Sequence, residues 1–191
     1  MAASAAASFS VVPMAPAHLL GAFAVQTTCY PPFYLERLAT YEHRVGTHPG
    51  GCFVAIDDAT RDVVGYVQSF AWCGDALPVC DIDAGEFARV VARARAAGPA
   101  APGVVWHVHD VAAAPAARGR GVGAALMHAA LAHATAEGYA RAQLIAVMGM
   151  ERVWGLPQFG FVRGSHPDAA VLGGYAYDGA PAVYMARALG A

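Results

Sequence analysis

Between Trp106 and Met127 the chain reads WHVHDVAAAPAARGRGVGAALM. An alternating apolar segment runs into a short loop with a proline. The turn Arg118-Gly119-Arg120-Gly121-Val122-Gly123 follows, and an alanine-rich helical pattern starts directly after it. A fold that contains this stretch must pass from strand to helix through a glycine turn. Such a turn is built to hold an anion, because glycines let backbone N–H groups converge and the helix start adds partial positive charge. Two histidines, His107 and His109, sit upstream at strand spacing. The anion cradle and the titratable pair therefore belong to one supersecondary unit.

The rest of the sequence predicts a mixed order of elements. Strands are expected at Phe9–Met14, Cys52–Ile56, Val63–Ala71, Val104–Val111, Ala142–Met148, Phe161–Arg163 and Val183–Arg187. Helices are expected at Ala17–Thr27 after Pro16, at Phe33–Arg44, near Ala84–Ala96, and at Val122–Glu137 ending on Gly138. Glu151–Gln158 reads as a short helix or turn, and Cys52–Ile56 with Val63–Ala71 as a β-hairpin. That order gives an α+β sheet with helices packed on it. Residues 1–8 are expected to be a disordered tail and residues 9–191 a single domain.

Composition narrows the function classes. The net charge is −2, and Lys and Arg are scattered except around Arg118 and Arg120, so no track for nucleic acid exists. Residues 1–35 carry no charged side chain, yet they lack a basic leader and are broken by Pro13, Pro16 and His18, which argues against a secretory signal. No apolar run is long enough to cross a bilayer. Cys29, Cys52, Cys73 and Cys80 have no zinc-type spacing and are expected as reduced thiols in a cytoplasmic protein. Few acidic residues gather in any one place along the sequence.

The glycine turn is neither a Walker A loop, since no Lys follows, nor a dinucleotide fingerprint, since its glycines are wrongly spaced. The pattern Arg118-x-x-Gly121-x-Gly123 between strand and helix resembles the acetyl-CoA loop of GNAT-type N-acetyltransferases. Gln158-Phe159-Gly160-Phe161 resembles the closing Gly-Phe element of that family, and Tyr30-Pro31-Pro32 and Gly51-Cys52-Phe53-Val54-Ala55 resemble a subgroup acting on small molecules. The resemblance covers most of residues 9–165. It implies a mostly antiparallel mixed sheet with helices on both faces and a splayed central strand pair. It also implies acetyl-CoA as cosubstrate. Backbone amides of Gly119, Arg120, Gly121, Val122, Gly123 and Ala124, with Arg118, would hold the pyrophosphate. The backbone of Val111, Ala112 and Ala113 would pair with the pantetheine arm and hold the developing oxyanion.

His107 and His109 project from one face of an ideal strand. They can be packed histidines, two ligands of a metal for which the sequence singles out no third, or proton-handling groups. The serotonin (arylalkylamine) N-acetyltransferases carry a His-x-His pair at the matching distance from the loop arginine, and this resemblance implies a catalytic role. The chemistry asks for one, because an alkylamine of pKa ~10 arrives protonated and a group titrating near ~6.5 can take the proton. Asp110 points the other way unless the strand bulges. The serotonin enzymes also use a tyrosine as acid before the closing element. Here that place falls on Leu156 or Trp154, so either the thiol, of ordinary pKa ~8.5, leaves as a thiolate at a cost of about 2 kcal/mol, or another group such as Tyr30, Tyr34, Tyr175 or Tyr177 donates the proton. Phe33, Tyr34 and Tyr41 either line an acceptor pocket or pack along a helix stripe, and segment 73–103 is either a lid or a surface insertion. The expected activity is acetyl transfer to a small primary amine. Acetylation of a protein N-terminus or lysine, and a non-catalytic acyl-CoA-binding module, are the alternatives.

Overall fold

A computed structural model describes residues 8–190. The tail expected over residues 1–8 lies outside the described residues except for Ser8, whose carbonyl accepts from Asp58 N at 3.1 Å. Among the described residues seven strands form one sheet: β1 (Phe9–Pro13), β2 (Cys52–Asp57), β3 (Val63–Cys73), β4 (Val104–Ala113), β5 (Arg141–Ala146), β6 (Val162–Arg163) and β7 (Val183–Ala188). Their order is β1-β2-β3-β4-β5-β7-β6. Every neighbouring pair is antiparallel except β4 and β5, which run parallel.

Helices α1 (Leu19–Cys29) and α2 (Leu38–Thr47) belong to one side of the sheet and α4 (Val122–Ala136) to the other, while α3 (Ala84–Ala97) packs Phe87 and Val91 against Phe70 and Trp72 and sends Ala94 into the cluster under α4. Two short helices, α5 (Glu151–Trp154) and α6 (Ala169–Gly174), complete the set. Leu126, Met127, Ala130 and Ala134 of α4 pack with Trp106 and Val108 of β4 into the larger core. Tyr41 and Val45 of α2 join Ala22 and Val25 of α1 over Val54 and Tyr66. Small alanines on α4 let helix and sheet approach closely, so the alanine bias of the sequence becomes packing density.

Most expected elements form, and three differ. The helix expected over Phe33–Arg44 is split. Pro32–Tyr34 makes one 3-10 turn, and α2 starts only at Leu38. Gln26 is the cause: its amide oxygen accepts from Glu36 N at 2.9 Å and its amide nitrogen donates to Glu36 O at 3.0 Å. That side chain satisfies the backbone of Glu36 as a neighbouring strand would, so the segment has no need of a helix. The strand expected to reach Met148 stops at Ala146, because Met148 and Gly149 turn the chain with φ of 53° and 75°. Helix α6 was not expected; Asp168 caps it by accepting from Val171 N at 3.3 Å.

Candidate active site

Two cavities meet in the middle of the sheet. The first is opened by the parallel strand pair. Strands β4 and β5 pair only from Trp106 to Val108 against Ala142 to Leu144. Beyond that point β5 follows β7 and β4 stays on β3, which leaves one edge of β4 without a neighbour. A cleft of about 720 Å³ fills the gap, running from the glycine turn along Asp110–Ala113 to Tyr30, with Trp154 in its wall. Ala114 N donates to Val64 O. By the alternation of an antiparallel ladder, Ala112 turns its backbone to β3, while Val111 and Ala113 turn theirs to the cleft. Ala113 O accepts from Cys29 Sγ and Val111 O from the Tyr30 hydroxyl, each at 3.2 Å.

The glycine turn sits at the far end. Gly119 and Gly121 have φ of 77° and 85°, conformations that a side chain would strain. Gly123 is helical, and a Cβ there would meet nothing within 4 Å. Neither backbone conformation nor internal packing requires a glycine at 123, yet it lines the cleft. The amides of Gly119, Gly121, Val122, Gly123 and Ala124 have no protein partner among the described residues. Unpaired N–H groups at a helix start, beside glycines that keep the space clear, fit a diphosphate. Arg118 stands exposed at the rim of the same cleft. Arg120 does not. Its Nη2 lies 2.8 Å from Asp57 Oδ2, so its side chain braces the β1–β2 corner. Ala124 also lies off the cleft wall.

The second cavity is about 40 Å³ and is bounded by Tyr30, Tyr34, Glu36, Cys80, His107, His109, Asp110, Ile145, Val147 and Tyr175. Tyr30, His109 and Asp110 line both cavities. Adjacent residues of a regular strand face opposite ways, and a bulge removes that restriction here. Gln68 pairs with Asp110 and Ser69 with Val108, so His109 is the extra residue. After it, Asp110 shares the face that His107 occupied before it.

The two histidines differ in placement. His107 is 1% exposed, and its Nδ1 lies 3.3 Å from Gln143 Nε2. Burial, and then the neighbouring His109 and Arg44, push its pKa well below the usual range, so it is neutral. His109 lies beyond it with rings 5.7 Å apart, its Nε2 3.2 Å from Glu36 Oε1.

Glu36 and Arg44 escaped the sequence reading, as did the hydroxyls of Tyr41 and Tyr66. Arg44 binds both oxygens of Glu36, with Nη2 at 2.6 Å from Oε1, and its Nη1 reaches Gln68 Oε1 at 3.0 Å. Burial alone would raise the Glu36 carboxyl, but Arg44 and His109 hold it well below the usual carboxylate range. Asp110 accepts from Tyr30 at 2.6 Å and from Tyr66, whose hydroxyl in turn accepts from Tyr41 at 2.7 Å. Burial raises the Asp110 pKa, with the tyrosine hydrogen bonds opposing. The fold thus gathers two carboxylates that stand far apart in sequence, which corrects the expectation of scattered acids. The signal present in the sequence was Arg44 itself, a charge on the same helical stripe as Tyr41 and Val45.

Among the tyrosines left open as donors, Tyr34 donates to Tyr175 O at 2.7 Å and Tyr175 to Pro78 O at 2.8 Å. Tyr177 stacks on Phe33, which is 51% exposed. Tyr30 alone of the four reaches both cavities. Tyr41 is core, as its stripe suggested. Segment 73–103 divides: Cys80 borders the second cavity, while α3 packs Phe87 against Phe70. All four cysteines are free. Among the described residues no helix is long and apolar enough to cross a membrane, and no group of three or more His, Cys, Asp or Glu could hold a metal ion.

Comparison with known proteins gives a consistent picture. The sequence profile of the acetyltransferase (GNAT) family matches residues 20–161. No curated protein matches the sequence. Among solved structures, Ard1 from Thermoplasma volcanium superposes with a TM-score of 0.67 at 16% identity, over 96% of this chain and 99% of that one. A GNAT family acetyltransferase from Brucella melitensis in complex with acetyl-CoA gives 0.55 at 16% identity, over 96% and 90%. The GNAT-like decarboxylase GphF in complex with isobutyryl-CoA gives 0.61 at 20%, over 95% and 100%. At these identities the structural likeness speaks for the fold.

Proposed function

The chain belongs to the GNAT family of acetyltransferases, and from that premise we propose that it transfers acetyl from acetyl-CoA directly to a small, arylalkylamine-like primary amine. One observation carries this reading: the two cavities meet at Tyr30, His109 and Asp110. A cosubstrate in the long cleft and an acceptor in the short one would present their reacting ends to each other there, which is the geometry of transfer through a ternary complex.

Acetyl-CoA supplies the acetyl group as a thioester. The free amides between Gly119 and Ala124 hold its diphosphate, with Arg118 at the rim. The edge of β4 at Val111 and Ala113 pairs with the pantetheine arm as an added strand does. A cleft-facing N–H of that edge polarises the thioester carbonyl. Of the residues expected in this role, Arg120 offers no free amide, since its N–H donates to Ala117 O at 3.4 Å, and Ala112 contributes by fixing the strand on β3.

In the acceptor cavity, Glu36 and Asp110 attract the ammonium. His109 accepts its proton, and the Glu36 carboxylate at 3.2 Å stabilises the imidazolium that results. His107 packs behind His109 and fixes its ring. The cavity of about 40 Å³ takes the amino end of the acceptor. The aromatic part of the acceptor therefore extends past Tyr34 toward the Phe33–Tyr177 pair. Tyr34, which lines the cavity, packs ring to ring with Phe33 and Tyr177, and such a group of rings favours an aromatic amine.

The test has two steps. Titration calorimetry with acetyl-CoA should give saturable binding that Gly121→Val abolishes. A thiol-release assay should then show turnover with tryptamine-like amines and little with peptides. Replacing both His107 and His109 should lower kcat by ~10²-fold or more and leave cosubstrate affinity nearly unchanged. Binding without thiol release from any amine would leave only an acyl-CoA-binding module.

A further inference from the structure

The acid that protonates the departing thiol has no counterpart after β5, where Trp154 and Leu156 stand. We propose that Tyr30, delivered by the C-terminal end of α1, is that acid, and that Asp110 recharges it within the same turnover. The inference rests on the acetyl-transfer reading and assigns two residues to a step that reading leaves open.

The geometry is closed and local. The Tyr30 hydroxyl is 2.6 Å from Asp110 Oδ1 and 3.2 Å from Val111 O, at the strand edge that faces the cleft. Tyr30 borders both cavities, as Asp110 does. The other tyrosines on Asp110 are walled off from the long cleft: Tyr66 is fully buried in the sheet, and Tyr41 donates to it from α2. Only one of the three hydroxyls can therefore reach a sulfur. Tyr66 fixes the second carboxylate oxygen, so the carboxyl cannot rotate away from Tyr30.

The balance needs no outside reagent. The ammonium first gives one proton to His109, which returns it to solvent; attack by the free amine then forms an N–C bond, breaks the C–S bond and moves the second proton from nitrogen to sulfur. Asp110 takes the proton that the attacking nitrogen sheds. Tyr30 gives its own proton to the sulfur as the C–S electron pair leaves with it. The proton on Asp110 then passes to Tyr30 across their hydrogen bond, and both groups return to their starting forms. Burial, followed by the Asp110 charge, pushes the Tyr30 phenol well above its ordinary pKa. Tyr30 is therefore a poor acid while Asp110 is ionised. It becomes a better acid when Asp110 is neutral, which is after the amine has attacked, because the carboxylate charge then no longer adds to the effect of burial. The order of events prevents loss of the thioester to water before an acceptor arrives.

The experiment combines activity with two readouts taken on the free protein. Tyr30→Phe and Asp110→Asn should each lower kcat by ~10²-fold, and the double variant should fall little further, since the two act as one unit. Calorimetric Kd for acetyl-CoA should stay within about twofold of wild type, because neither side chain touches the diphosphate amides. In protein labelled at the tyrosine ζ-carbon, the Tyr30 resonance should titrate at lower pH in Asp110→Asn than in wild type. Should Tyr30→Phe fold poorly, ring-fluorinated tyrosine at position 30 keeps the hydroxyl and lowers its pKa, and kcat should shift while Kd does not. The proposal is overturned if Tyr30→Phe keeps more than a third of wild-type kcat, or if Kd weakens in step with kcat. It is also overturned if Asp110→Asn leaves the Tyr30 titration in place. Wild-type protein that releases no thiol with any amine would overturn the acetyl-transfer reading along with it, an outcome distinct from selective failure at Tyr30.

Discussion

At the scale of single residues the buried ion pair is the most demanding feature of this molecule. Glu36 and Arg44 are both nearly inaccessible, and two charges are seldom taken from water together without a dense set of partners. Here His109, Gln68 and Asp81 N supply them. Removing one partner leaves the other charged and alone. Glu36→Gln should therefore cost about 3–5 kcal/mol in urea denaturation. Adding Arg44→Met to it should recover a good part of that loss, because the isolated guanidinium goes with it. A double variant as unstable as the sum of the singles would mean that the pair is not the unit. Sequence reading missed Glu36 for a plain reason. It stands in an extended segment held by Gln26, and no periodicity reports a side chain clamped by another helix.

At the scale of elements the chain was far more legible. The strand, glycine turn and helix of residues 104–136 were readable because each has a local physical cause: alternation, positive φ and an alanine-rich stripe. The bulge at His109 was foreseen only as a condition, since a bulge is set by the partner strand, and β3 lies some forty residues away in sequence. Yet that bulge decides which of His109 and Asp110 reach the junction. The turn offers a sharp test, because two of its glycines are there for different reasons. Gly121 needs its φ of 85°, so Gly121→Leu should strain the loop by ~1–2 kcal/mol and weaken acetyl-CoA binding together. Gly123 is helical with open space beside it, so Gly123→Leu should leave the melting temperature unchanged or raise it, leucine being the better helix former by somewhat under ~1 kcal/mol. Its side chain would stand in the cleft, and the calorimetric Kd for acetyl-CoA should rise at least tenfold. Equal losses of stability in the two variants would show that the glycines serve the loop and not a ligand.

Over the whole molecule, the response to acid follows from which groups the fold keeps uncharged. His48 packs edge-on to Trp106 beneath α4, and burial pushes its pKa down to about 4, with the positive charge of Arg95 adding to the effect. The unfolded chain takes a proton on that imidazole near pH ~6.5 and the folded chain does not. The unfolded state thus binds more protons between those values, and stability must fall as pH drops through the window. His107 acts in the same direction for the same reason. Glu36, held low by Arg44, adds a further loss only once pH falls below the ordinary range of a glutamate. Asp110 opposes them, since its raised pKa makes the folded state the better proton acceptor as a carboxylate titrates. Between pH ~6.5 and ~5 the lowered pKa values of His48 and His107 both remove stability, and the raised pKa of Asp110 offsets part of that loss. His48 alone accounts for up to about 3 kcal/mol by pH 4. Urea denaturation at half-unit steps from pH 7 to 4.5 should give a stability that declines throughout. His48→Leu should remove close to one proton from the slope while leaving thiol release at pH 7 intact, since His48 is on the α4 side of the sheet and outside both cavities. An unchanged slope in that variant would mean that His48 is protonated in the folded state, and that the side of the sheet under α4 is wetter than its packing implies.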